Sequence, residues 1–257
     1  MSNLVEQRAL LALQQGRIAE ACQLFASIAP SLRARTSLFA AAVAFASASR
    51  FAEALGMLQR FDGGQQPEVE SLNLRADICV QMGRNRDAAA IYSELLQRGQ
   101  SDDALHYKLA QALFGAGAVE PAYAALDPAL RAKAARTRTQ AKLLKARCEA
   151  ALGRLDQAQS QLEKLQKNGE LKDVAQYRLA RLALHRGDYP KAEKLLAAFL
   201  RKEPNSEAGQ QAILLGQIYA GQKTKPQALI NWLPERANDD ETLAIAGDYL
   251  LEMGLAD

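Results

Sequence analysis

Two histidines, His106 and His185, are the only side chains here whose ordinary titration falls near neutral pH. They lie far apart, and neither stands in an HExxH or similar arrangement, so both read as structural or surface residues rather than as bases or metal ligands. Cys22, Cys79 and Cys148 are odd in number and widely separated, without CxxC spacing. That disfavours a disulfide framework and a zinc site, and leaves buried, reduced thiols. The glycine-bearing stretches FDGGQQP (61–67) and AGQKTKP (220–226) lack the GxxxxGK[ST] spacing that cradles phosphates, and no GxSxG elbow occurs. The acidic pairs Asp102-Asp103 and Asp239-Asp240 precede predicted helices, where carboxylates cap free amides. The reading is therefore of a non-enzyme with no catalytic residue, metal or cofactor.

The sharpest charged feature is RAKAARTRTQAKLLKAR (131–147), with seven basic residues and no acid. A solvated basic face is the first reading, an acidic protein partner the second and a nucleic-acid backbone the third. The run has no aromatic residue and hence no stacking platform for single strands. The whole chain carries 32 basic against 29 acidic residues, a net charge of +3, too small to argue for nucleic acid or an anionic membrane.

The elements that position these residues are helices. Of 257 residues 50 are alanine and only 8 proline, and leucine, glutamine, glutamate, lysine and arginine fill much of the rest. The N-terminal MSNLVEQRALLALQQGR places Glu6 and Arg8 beside a short apolar run, unlike a signal peptide. No apolar stretch approaches the roughly 20 residues of a membrane span. A soluble protein in the reducing cytoplasm is expected.

The helices come in a period. Ala21, Ala54, Ala88, Ala122, Ala158, Ala192 and Ala228 are separated by 33, 34, 34, 36, 34 and 36 residues. Five residues before most of them stands a glycine, Gly16, Gly83, Gly117, Gly153 or Gly187, with Ser49 in the second unit. Glycine at that place ends a helix in a left-handed turn. Twelve residues before each alanine lies a second small residue: Ala9, Ala42, Ala76, Ala110, Ala146, Ala180 and Gly216. Two antiparallel helices touching at these pairs would leave no room for long side chains. Larger residues around them (Ile18, Phe51, Val119, Leu155 and Tyr189; Phe25, Leu58, Tyr92, Leu126, Leu162, Leu196 and Trp232) would fill the surrounding space. Pro128 and Pro234 fall inside second helices and should shorten or kink them. Pro121, Pro190 and Pro226 fall at or near first turns, where proline is tolerated.

The units resemble tetratricopeptide repeats. Leu179, Ala180, Gly187, Asp188, Tyr189, Ala192 and Pro204 follow that family's 34-residue pattern in the sixth unit, and Leu215, Gly216, Tyr219, Ala228 and Trp232 do so in the seventh. The resemblance implies an all-α, right-handed α-α superhelical solenoid of about seven hairpins plus a C-terminal half-repeat. The units are approximately 2–34, 35–68, 69–102, 103–138, 139–172, 173–208 and 209–239, with a partial unit 240–257, in one array spanning 2–257. Arg8, Arg75 and Lys145 depart from it at a position usually apolar.

The resemblance further implies a concave wall of first helices. Transferred to this sequence, the wall positions are Asn73, Asp77 and Gln81, then Tyr107, Gln111 and Phe114, then Arg147, then Tyr177, Arg181, Leu184 and His185. Such a wall suits an extended peptide or a partner helix, with aromatic anchors and arginines that pair with carboxylates. The lysine and asparagine clamp of some chaperone-binding relatives is not reproduced, since Glu6, Phe39 and Asn73 stand there. The expected function is a protein-interaction scaffold or adaptor with a protein or peptide partner, an acidic one among the options. The alternative is a targeting module of a longer, transferase-like enzyme cut at Asp257, and behind it stands a nucleic-acid binder using 131–147. The eighth unit stops at its hinge, Gly254, which favours truncation over a capping helix. Its apolar residues Leu243, Ile245, Leu250 and Leu251 leave self-pairing open.

Overall fold

A computed structural model describes residues 2–167, 171–202 and 205. Every regular element among them is helical. The chain divides into two compact units, Met1–Lys133 and Ala134–Asp257. In the first, α1 (Ser2–Gln14) pairs with α2 (Ile18–Ile28), α3 (Arg35–Ser47) with α4 (Phe51–Asp62), and α5 (Val69–Gln81) with α6 (Asn85–Gln97). The fourth pair is α7 (Asp103–Gly115) with α8 (Val119–Ala125) and the short α9 (Asp127–Leu130). The described part of the second unit holds α10 (Ala135–Ala151) with α11 (Leu155–Lys167), and α12 (Lys172–His185) with α13 (Tyr189–Leu200).

One turn joins the helices of every described hairpin. Gly16, Gly83, Gly117, Gly153 and Gly187 have φ between 71° and 80°, and Ser49 takes the same left-handed conformation at φ 58°. At each, the hinge amide donates three residues back and the next amide five back, as in Gly83 N to Val80 O (3.0 Å) and Arg84 N to Cys79 O (2.8 Å). This is the Schellman closure, which satisfies carbonyls that a helix end leaves orphaned.

The paired small residues lie where the helices touch. Ala9, Ala42, Ala76, Ala110, Ala146 and Ala180, with Ala21, Ala54, Ala88, Ala122, Ala158 and Ala192, are all fully buried. Phe25, Leu58, Tyr92, Leu126, Leu162 and Leu196 close the core around them. Gly216, Ala228, Trp232, Pro226, Pro234, Asp239-Asp240 and the eighth unit lie outside the described residues.

Pro128 acts as expected: α8 stops after 7 residues and the proline stands in the first turn of α9. Here the chain also departs from the sequence reading. The fifth hairpin begins at Ala135 rather than at 139, because α10 runs 17 residues where α3, α5 and α7 run 13. The wider 36-residue interval is thus absorbed by a longer N-terminal end of α10. The charged Arg75 at a usually apolar position is explained by α4: its Nη2 donates to Asp62 Oδ2 at 2.5 Å, and Ser71 Oγ donates to the same oxygen at 3.2 Å.

Candidate functional site

In the first unit the six expected wall positions fall into two stripes. Asn73, Asp77 and Gln81 recur every fourth residue on α5, while Tyr107, Gln111 and Phe114 recur at four and three on α7, one helical face in each case. Gln81 and Gln111 are exposed, and the other four are partly buried. Asn73 is turned onto its own helix, its Nδ2 donating to Val69 O at 3.0 Å. Asp77 accepts the Tyr92 hydroxyl at 2.6 Å and Lys108 Nζ at 2.8 and 3.0 Å, so it ties α5 to α6 and α7 at once. Burial, followed by the bond to Asp77 and its charge, pushes the Tyr92 phenol above its ordinary range. Asp77 and Gln81 also line a cleft of about 320 Å³ with Ser47, Phe51 and Leu74.

In the second unit Arg147 lies on α10, and Tyr177 and Arg181 lie on α12, all partly buried. Arg181 Nη1 stands 3.5 Å from the Tyr177 hydroxyl. The Tyr177 ring is held by Phe199 of α13, centroid to centroid 5.5 Å. Leu184 is corrected by the structure. It is 6% exposed and packs with Ala180, Ala192 and Leu196 in the hairpin core, so it offers nothing to a wall. The side chain of His185 lies outside the described residues.

The basic run does not form one face. At about 100° per residue along a helix, Arg138, Lys142 and Lys145 share one side of α10, whereas Arg136 and Arg147 share the opposite side. Arg131 and Lys133 end the first unit.

The remaining reactive residues have structural places. Asp102 caps α7, accepting Leu105 N at 2.6 Å. His106 Nε2 lies 3.5 Å from Ser101 Oγ. All three cysteines are buried and free, and burial pushes Cys79 up and Cys148 up to about 11. Among the described residues no three His, Cys, Asp or Glu side chains gather where a metal ion would sit, and no helix is long and apolar enough to cross a membrane.

Three charged residues were not singled out by sequence. Lys108 pairs with Asp77. Glu149 on α10 is 3% exposed, one of its carboxylate oxygens has no hydrogen-bond partner, and burial pushes its pKa up against the pull of Lys145 and Arg154. Arg178 on α12 is partly buried, with its guanidinium 5.5 Å from the Tyr177 ring centroid and its Nε sealed from water without a hydrogen-bond partner. A cation between Tyr177 and Leu179 on an otherwise core-facing stretch was the only signal available.

Comparison with known proteins agrees with the hairpin pattern. A model described as tetratricopeptide repeat-like domain matches residues 112–232, and one described as tetratricopeptide repeat matches 73–137. No curated protein matches the sequence. Among solved structures, a tetratricopeptide repeat protein from Parabacteroides merdae is similar at TM-score 0.66 and 15% identity, covering 86% of this chain and 87% of its own. PilF of Pseudomonas aeruginosa is similar at TM-score 0.58 and 18% identity, covering 82% and 95%. YrrB, described as a TPR protein with an unusual peptide-binding site, is similar at TM-score 0.54 and 18% identity, covering 72% and 95%. The fold class is the all-α superhelical solenoid expected from the sequence. With left-handed hinges at one period, fully buried small-residue pairs and two repeat models spanning 73–232, the chain belongs to the tetratricopeptide repeat family.

Proposed function

We propose that the chain is an interaction scaffold that binds an extended peptide or a partner helix along its first helices. The observation that carries this reading is the adjacency of the stripes on α5 and α7, bridged by the ion pair of Asp77 with Lys108 and flanked by the 320 Å³ cleft. Tyr107 and Phe114 supply apolar anchors, and Gln81 and Gln111 supply exposed amides for a peptide backbone. Arg147, Tyr177 and Arg181 extend the same use to the second unit. A peptide-binding site reported for the structurally similar YrrB is in keeping with this reading. The buried, unpaired thiols suit a reducing, cytoplasmic setting.

The test is a displayed peptide library selected on the full chain, followed by titration of the selected peptides. Tyr107→Ala and Phe114→Ala should each weaken binding at least about tenfold, as expected of buried anchors. Gln97→Ala, exposed on the second helix α6, should leave it unchanged. Selected peptides that keep full affinity for both aromatic variants would overturn the assignment.

A further inference from the structure

Within each unit the later first helices lie against the second helix of the hairpin before them: α3 on α2, α5 on α4, α7 on α6 and α12 on α11. The residues five before and two after the first small residue sit on the covered side. They are Ser37 and Ala44 on α3, Ser71 and Ile78 on α5, Leu105 and Ala112 on α7, and Ala175 and Leu182 on α12, and every one is buried. On α1 the same two places hold Leu4 and Leu11, which are 65% and 49% exposed.

Seven residues bring an α-helix almost back to the same angle, so the two leucines line up about 10.5 Å apart on one side of α1. The exposed Arg8 stands between them. The end of a helical array ordinarily turns a polar face to water, and two large aliphatic side chains at seam positions are the reverse of that. This side is not the wall. The wall positions Asn73, Asp77 and Gln81 of α5 correspond on α1 to Glu6, Leu10 and Gln14, about a third of the way round the helix.

The chemistry that closes such a seam is displayed by α5, which carries Arg75 where α1 carries Arg8 and the aliphatic Ile78 where α1 carries Leu11. Ile78 joins the apolar cluster that holds Ala54 and Leu58 of α4, and Arg75 Nη2 donates to Asp62 Oδ2 at 2.5 Å in the last turn of α4. A second copy fits α1 less well, because Leu4 of one α1 over Leu11 of another sets the two Arg8 guanidiniums beside each other, and like charges at a contact oppose it.

We propose that the side of α1 bearing Leu4 and Leu11 is a docking surface for one amphipathic helix of a partner protein, seated as α4 is seated on α5, with aliphatic side chains over the two leucines and a carboxylate in its last turn beside Arg8. The surface is separate from the concave wall and stands or falls without it. Its occupant is bound by removal of apolar area from water, and the single ion pair fixes its direction.

The experiment is a fluorescence-anisotropy titration of the full chain with a peptide of residues 50–65, the segment that covers α5, acetylated, amidated and held helical by a lactam bridge on its solvent-facing side. The peptide should bind, and Leu4→Gln and Leu11→Gln should each weaken it about tenfold or more. Both side chains are exposed, so these variants keep the parent's melting curve. Changing Asp62→Asn in the peptide should weaken binding to the parent but not to Arg8→Gln. Tyr107→Ala and Phe114→Ala should leave this binding unchanged, so loss of the wall and loss of this surface are told apart. A helical peptide that does not bind, or that binds with no dependence on Leu4 and Leu11, overturns the proposal. So does sedimentation equilibrium showing that the full chain self-associates and that Leu11→Gln abolishes it, which would assign the surface to a second copy.

Discussion

Ser49 offers a measurement of the hinge in isolation. Five described hinges use glycine at φ 71–80°, and the second hairpin forces serine into the same region at φ 58°. For a residue with a Cβ that conformation costs about 1–2 kcal/mol. Ser49→Gly removes this cost but frees the unfolded chain, which returns about 0.4–1 kcal/mol. The net expectation is a gain of about 0.5–1 kcal/mol, or a rise in melting midpoint of about 2–4 °C per kcal/mol for a chain of this length. The mirror change is Gly83→Ser. A Cβ built at Gly83 meets no atom within 4 Å, so packing contributes nothing and only the backbone conformation is read. Gly83→Ser should lose what Ser49→Gly gains, and the double variant should melt close to the parent if the two hinges are independent. Thermal unfolding followed by far-ultraviolet circular dichroism measures all four proteins. A destabilised Ser49→Gly, or a Gly83→Ser variant that melts like the parent, would refute the left-handed closure as the determinant of the turn.

Ala88→Leu and Ala158→Leu put a large side chain where two backbones meet, both alanines being fully buried, and should cost about 1–3 kcal/mol in the same assay, whereas Ala90→Leu on the exposed side of α6 should stay within about 0.5 kcal/mol. Arg75→Met leaves the Asp62 carboxylate, whose side chain is 6% exposed, with the Ser71 hydroxyl but no cation, and should cost about 3–5 kcal/mol, but Arg84→Met breaks a pair with Asp87 that is about half exposed on both sides and should lower the melting midpoint far less; equal effects would contradict this. Glu149 has a folded pKa raised by burial, so its carboxylate destabilises the fold above that pKa and is without effect below the unfolded value of about 4.3. Glu149→Gln should therefore raise the melting midpoint more at about pH 8 than at about pH 4, and a gain independent of pH would reject burial as the cause.

The hinges and the alanine pairs were legible because each follows from a single residue's sterics, repeated at one period. The early end of α8 was legible for the same reason, since Pro128 cannot donate to the preceding turn. The start of α10 was not. Residues 131–137 hold no glycine, and the cap residue Ala134 makes no side-chain bond, so no local residue type marks the boundary. Leu184 failed differently. Four residues after Ala180 on α12, it follows the alanine round to the face that meets Leu196, and a repeat pattern read by position alone cannot separate that edge of the helix from the wall. Asp77 was expected on the wall from its repeat position alone, but its partners Tyr92 and Lys108 lie 15 and 31 residues away, and only the packed structure shows that they absorb its charge.

Once the register is known, these long-range pairs become readable in a second way, by comparing the same place from one hairpin to the next. Three residues after the first small residue of each hairpin stand Ala12, Phe45, Cys79, Leu113, Glu149 and Ala183. Five of these are apolar, and all but Leu113 are buried. A carboxyl at 3% exposure in that column is a charge that packing alone would exclude, since burying an unpaired ion costs several kcal/mol. The column containing Lys108 and Arg178 holds Ala40, Leu74 and Leu144 in the other described hairpins from the second onward, so the cations there depart from the period in the same sense. Lys108 is answered by Asp77, whereas Arg178 is pushed down by burial and then by the charge of Arg147. Because the shared pattern is fully occupied by hinge, seam and core, whatever distinguishes this chain's partner from that of another repeat protein must be written in such departures. Comparing residues down each column accordingly separates the charges that packing would not choose from the positions that the repeat pattern alone supplies.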